Sequence, residues 1–110
     1  MPSQAVSITV PSESNGAPID ATLRVNVLRD TLTGLAELFG GCTQTDAQGA
    51  WVGVKGLVTE PVVVCTSYAD ETDIMTQWGD VLALAQDVKT RLAQDAVLVS
   101  VAPMSAVHFV

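Results

Sequence analysis

The chain has 110 residues, the size of one domain, and 48% of them are hydrophobic. Five Lys+Arg against twelve Asp+Glu give a net charge of −7, which argues against a nucleic-acid or anionic-membrane partner and favours a cationic ligand. Aromatics make up only 5%, so the core must come mainly from Val, Leu and Ala, and so short a chain gains from burying more surface in an oligomer.

The N-terminal MPSQAVSITV has no basic region followed by a long apolar run, so it does not read as a signal peptide. No apolar run nears the roughly 18 residues of a membrane span, and a cytoplasmic protein is expected. Ala5 to Val10 alternates, with Val6, Ile8 and Val10 on one face, which predicts a half-buried strand. Residues 11–18 (PSESNGAP) read as a turn-rich loop, broken by Gly16 and two prolines. Asp20 is placed to cap a helix starting at Ala21. Leu28, Leu32, Leu35 and Phe39 recur at helical spacing and form its apolar stripe. Arg24, Arg29, Asp30 and Glu37 fall mostly off that stripe, Gly34 is a mild cost, and Gly40-Gly41 ends the helix.

Cys42–Thr45 and Ala50–Val54 read as two arms of a hairpin that turns at Asp46-Ala47-Gln48-Gly49. Lys55-Gly56 is a second turn. Leu57 to Thr59 leads into Glu60-Pro61, and the β-branched run from Val62 to Thr66 predicts a central strand buried on both sides. Pro61 marks its edge or start. Residues 67–73 (SYADETD) form a polar loop, with Asp70, Glu71 and Asp73 near a helix N-terminus. A second helix spans about Ile74 to Gln94. Ile74, Trp78, Val81, Leu82, Ala85, Val88 and Leu92 lie on one face, Lys89 and Arg91 in the last turns, and Gly79 is a weak point or a close packing site. Ala96 to Val101 reads as another buried strand that Pro103 stops, and Ala106 to Val110 as a short final one.

The order β-α-β-β-(β)-α-β-β predicts one α+β domain over residues 1–110. It is a ferredoxin-like split βαβ sandwich with two helices on one face of an antiparallel sheet. The other sheet face is expected against a partner subunit.

Few residues offer chemistry. His108 is the single histidine, which excludes a His pair within one chain. Cys42 and Cys65 lack metal-ligand spacing and read as buried free thiols, with a disulfide between them as the alternative. Gly40-Gly41 follows a helix and reads as its stop rather than as a phosphate cradle. Neither metal nor cofactor is expected. Glu60, at the threshold of the most apolar strand, can face a cleft and do acid/base or electrostatic work; otherwise it is a solvated strand-end residue. Trp51 can stack on a planar ring or cover a sulfonium cation, or be an edge-of-core or interface residue. Thr43 and Thr45 share a strand face, where their hydroxyls can bind a ligand or simply favour the strand.

Phe39-Gly40, Thr45-Asp46, Gly49 and the aromatic Trp51 resemble a segment of the small phage S-adenosylmethionine lyases, formerly called hydrolases. Glu60 after Thr59, the run Val62 to Val64 and the stretch Gln94 to Val99 continue the resemblance, which covers roughly residues 35–100. It implies a ferredoxin-like subunit of a PII-like homotrimer, with sites for a small molecule between subunits. It also implies cleavage of S-adenosylmethionine to methylthioadenosine and homoserine lactone, in the host-cell cytoplasm if phage-encoded. By motif, Glu60 is the catalytic acidic residue, and Thr43, Thr45, Gly49 and Trp51 are the ligand contacts. Trp51 falls where the lyases carry Tyr, which removes a hydroxyl. The residues themselves leave open a non-catalytic module that binds or sequesters a nucleotide-like molecule, and a structural or interaction protein.

Overall fold

The computed structural model describes residues 3–104. Strand β1 spans Gln4–Val10, and its alternation sends Val6, Ile8 and Val10 into the core as expected. The loop expected next contains a small hairpin, β2 (Glu13–Ser14) against β3 (Ala17–Pro18). Asn15 and Gly16 turn it with φ of 52° and 77°, the left-handed pair that suits an Asn-Gly hairpin turn.

Helix α1 spans Ala21–Phe39. The Asp20 carboxylate accepts from the Leu23 N–H at 3.0 Å, and Gly40 closes the helix at φ 88° with its N–H on the Ala36 carbonyl. The buried stripe is rotated from the expected one. Val27, Thr31 and Leu35 form its centre, and Leu28, Leu32 and Phe39 its half-buried flank. Thr31 can take a core position because its hydroxyl donates to the Val27 carbonyl at 2.8 Å.

Strands β4 (Thr43–Gly53) and β5 (Gly56–Ala69) form one long antiparallel ribbon, in register from Thr43↔Thr66 to Gly53↔Gly56. The expected turn at residues 46–49 is not there, and the chain reverses at Val54-Lys55 instead. Asp46, Ala47, Gln48 and Gly49 each stand opposite a residue of β5, and a continuous ladder outweighs the local turn preference of Asp and Gly. Pro61 lies inside β5, not at its start, opposite Gln48. It is tolerated because β1 pairs with β5 only as far as Val63, which leaves one side of the strand open there.

The segment expected as one helix is two, α2 (Glu71–Thr76) and α3 (Trp78–Arg91). The break at Gln77 falls among Thr76, Trp78 and Gly79, all weak helix formers. Ile74, Val81, Ala85, Val88 and Leu92 reach the core, while Leu82 is exposed and Trp78 half-buried. Strand β6 (Val99–Pro103) pairs with β1 alone. It begins later than expected, includes Pro103, and is an exposed edge rather than a buried strand. The strand expected at 106–110, with His108, lies outside the described residues.

The sheet order β4-β5-β1-β6, antiparallel throughout, is that of a ferredoxin-like α+β fold. The helices cover one face. Ile8, Leu35, Leu92 and Val88 are fully or nearly fully buried there, each contributing about 1.5–3 kcal/mol relative to exposure. Along β5, Val63, Cys65, Ser67 and Ala69 are buried, while Val64, Thr66 and Tyr68 on the other face are half-buried. Within one chain, then, the strand is not buried on both sides. A Cβ at Gly34 of α1 would collide with the Leu84 side chain of α3, which lies over the bare glycine. Arg91 ties α3 to α1 through Asp30 at 2.6 Å, and also meets Asp87 at 3.1 Å. These two carboxylates, Asp30 first, hold its guanidinium pKa above the ordinary value. Both cysteines are free thiols, Cys65 buried and Cys42 half-buried just before β4. No helix among the described residues is long and apolar enough to cross a membrane.

Candidate functional site

The β4–β5 register pairs Thr43 with Thr66, Thr45 with Val64, Gly49 with Glu60 and Trp51 with Val58. Alternation therefore puts Thr43, Thr45, Gly49, Trp51 and Glu60 on one face of the ribbon. They are nonetheless spread along it. Thr43 to Trp51 is eight strand steps, roughly 26 Å at a typical rise, longer than one small ligand spans within one chain.

Trp51 and Glu60 come together. They line a cleft of about 650 Å³ with Glu13, Asn15 and Gly16 of the small hairpin and with residues 93–96 after α3. Glu60 is 8% exposed, and its Oε2 accepts from the Ser12 N–H at 3.1 Å, the Glu13 N–H at 2.9 Å and the Ser12 hydroxyl at 3.3 Å. No hydrogen bond reaches Oε1 among the described residues. The carboxylate is thus held by one oxygen, by the chain leaving β1, while Oε1 stays accessible in the cleft. Trp51 is 44% exposed and presents an aromatic wall.

The opposite wall is held by hydrogen bonds to the hairpin. Gln94 donates through Nε2 to the Glu13 carbonyl at 2.8 Å and to the Leu92 carbonyl at 2.9 Å. The Ser14 hydroxyl donates to the Ala93 carbonyl at 2.9 Å. Gly49 stands beside Glu60, and a Cβ there would lie 3.9 Å from Glu60 Cγ and 3.4 Å from Val62 Cγ1. Three carboxylates, Glu13, Glu60 and Asp95, line the cleft, and no Lys or Arg is among its lining residues. Its field therefore favours a cation, and the indole face adds to that preference.

Thr43 belongs to a different hollow, of about 430 Å³, with Phe39, Cys42, Thr66 and Tyr68. Thr45 is exposed and lines neither hollow. Burial raises the Cys42 thiol pKa, against hydrogen bonds at Ser67 and Thr66 that lower it. Cys65 is pushed up to about 12 by burial, with a smaller contribution from Cys42. Neither thiol has the character of a nucleophile.

Sequence reasoning missed Glu13, Gln94 and Asp95. The Asn15-Gly16 dipeptide was an available signal for the hairpin that carries Glu13. Gln94 and Asp95 had no local signal, since their place depends on where α3 stops against the sheet.

By sequence, neither a protein-family model nor a curated protein matches the chain. By structure, a phage SAM lyase in complex with S-methyl-5'-thioadenosine superposes with a TM-score of 0.67 at 18% identity, over 92% of this chain and 81% of that one. The apo phage SAM lyase gives 0.67 at 20% identity, over 93% and 81%. The divalent cation tolerance protein CutA1 of Thermus thermophilus gives 0.58 at 16% identity, over 96% and 86%. At these identities the likeness is one of fold: the chain has the ferredoxin-like α+β architecture of phage SAM lyase and CutA1.

Proposed function

We propose that this protein is an S-adenosylmethionine lyase-like enzyme that binds its substrate in the Trp51–Glu60 cleft and cleaves it to methylthioadenosine and homoserine lactone. The observation that carries the reading is the pairing of an aromatic face with three carboxylates and no Lys or Arg in one cleft, on a fold shared with phage SAM lyase. S-adenosylmethionine offers that cleft a sulfonium cation and a planar base.

The reaction asks little acid/base work of the protein. A substrate carboxylate oxygen attacks the methylene carbon attached to sulfur. The C–O bond forms as the C–S bond breaks, the electron pair goes to sulfur, and no proton moves in that step. The sulfonium charge disappears in the transition state, so a carboxylate beside it mainly aids binding. Catalysis then comes from folding the substrate's carboxylate over the carbon. Glu60, pinned through Oε2, suits the role of a fixed negative charge near sulfur. Trp51 stacks on the base, and Gly49 lies beside Glu60 on the cleft wall. Thr43 and Thr45 meet the ligand from a neighbouring subunit, which makes the working form a homotrimer of single-domain subunits, placed in the cytoplasm of the host cell.

A second reading is a non-catalytic module that sequesters the same cation. It is favoured by Trp51 standing where the resemblance expects Tyr, and by the CutA1 likeness. Mass spectrometry of protein incubated with S-adenosylmethionine separates the two. Methylthioadenosine and homoserine lactone in equal amounts, with a raised KM in Glu60→Gln, are expected for the lyase. Calorimetric binding without product establishes the second reading, and absence of both binding and product overturns both. Light scattering tests the trimer.

A further inference from the structure

The opposite side of the ribbon carries a separate cleft of about 570 Å³, lined by Arg24 of α1, Asp46, Ala47 and Gln48 of β4, and Pro61, Val62 and Val63 of β5. It shares no lining residue with the Trp51–Glu60 cleft. Arg24 is half-buried, and its Nε donates to the Pro11 carbonyl at 3.1 Å. That bond fixes the guanidinium plane, and among the described residues neither Nη makes a hydrogen bond or ion pair. Asp46 is exposed on β4 and likewise has no partner among the described residues. The two opposite charges line one cleft yet do not pair with each other.

We propose that this cleft binds a zwitterionic α-amino acid with an uncharged, apolar side chain. The Arg24 Nη edge matches a carboxylate in the planar, two-bond manner of a guanidinium. Asp46 matches the α-ammonium, and the Gln48 amide can donate or accept beside either. Val63, buried, and Pro61 share the face of Asp46 and Gln48 and give an apolar floor that selects against a charged side chain. A simple anion would satisfy Arg24 but face the Asp46 carboxylate, and a simple cation would meet the reverse conflict. A ligand carrying both charges on one small frame, as an α-amino acid does, meets the two together.

The site does not depend on S-adenosylmethionine cleavage, and the test does not use that substrate. The 15N-labelled protein is titrated with L-norleucine, with hexanoate (no ammonium) and with L-norleucine methyl ester (no carboxylate). Shifts at the Arg24 Nε–H and the amides of Asp46 to Gln48 are followed. The expected result is saturable shifts with L-norleucine, and affinity at least about tenfold weaker for either truncated analogue. Arg24→Lys and Asp46→Asn, each checked for an unchanged fold by circular dichroism, should each weaken L-norleucine by about tenfold. Asp46 is exposed, so its variant tests the site even if Arg24→Lys unfolds the chain. Hexanoate binding as well as L-norleucine, shifts confined to Trp51 and Glu60, or no shift at millimolar ligand would each overturn the assignment.

Discussion

Replacing Glu60 separates its structural from its ligand-binding role, and the structure sets the size of the effect. Oε2 accepts two backbone N–H groups, Ser12 at 3.1 Å and Glu13 at 2.9 Å, and the Ser12 hydroxyl at 3.3 Å. Hydrogen bonds to a charged group each contribute about 1.5–3 kcal/mol, and orphaned donors cost most when water cannot replace the acceptor. The hydroxyl can rotate to solvent, and the two N–H groups are only part-buried. Glu60→Ala should therefore destabilise the chain by about 2–4 kcal/mol, below the full sum of the bonds. Glu60→Gln retains a carbonyl acceptor and loses only the charge, for about 1 kcal/mol. Urea unfolding followed by tryptophan fluorescence measures both, with the slope in denaturant unchanged if only native contacts are lost. A Glu60→Ala midpoint equivalent to less than about 0.5 kcal/mol of change would refute the idea that this carboxylate holds the chain after β1. It follows that Glu60→Gln, not Glu60→Ala, is the variant in which lost binding reports on the ligand.

Gly34→Val should destabilise by about 1–3 kcal/mol, because the added side chain has to displace Leu84 at the α1–α3 contact; an unchanged melting temperature would contradict that packing. Gly16→Ala, at φ 77°, should cost about 1–2 kcal/mol and loosen the hairpin that carries Glu13, seen as faster amide exchange at residues 13–17. The Cys65 thiol titrates near 12 when folded and at 9.0 when unfolded, so it favours the folded state fully below about 9. Between those values the unfolded chain holds fewer protons, and stability falls by up to about 1.4 kcal/mol per pH unit. Denaturation between pH 8 and 11 should show that loss, reduced in Cys65→Val; equal slopes in the two proteins would count against the burial of the thiol.

Much of the fold was legible because the signals were local. The alternation of Val6, Ile8 and Val10, the Asp20 cap and the Gly40 stop each act within a few residues, and each stands where expected. The ribbon was misread for the opposite reason. Asp46-Ala47-Gln48-Gly49 has good turn chemistry, but its backbone finds partners in residues 60–63, and that long-range ladder decides. The second helix was overextended because hydrophobic spacing runs through Gln77, where backbone propensity does not. The edge position of β6 is invisible in its composition, since Val99 and Val101 look the same in a central strand and at an edge.

The sequence by itself determined the acidic surface, the α+β order and the chemistry at hand, since composition and short-range periodicity need no partner to act. It also marked Trp51 and Glu60 one by one. Only the tertiary structure decided that these two share a cleft while Thr43 lies in another, because strand register fixes distances that sequence spacing leaves open. The same is true of Glu13, Gln94 and Asp95, which join the Glu60 cleft only when the small hairpin and the end of α3 pack against the ribbon. A carboxylate's partners are set by what folding brings to it, and for Glu60 those partners lie 47 and 48 residues away.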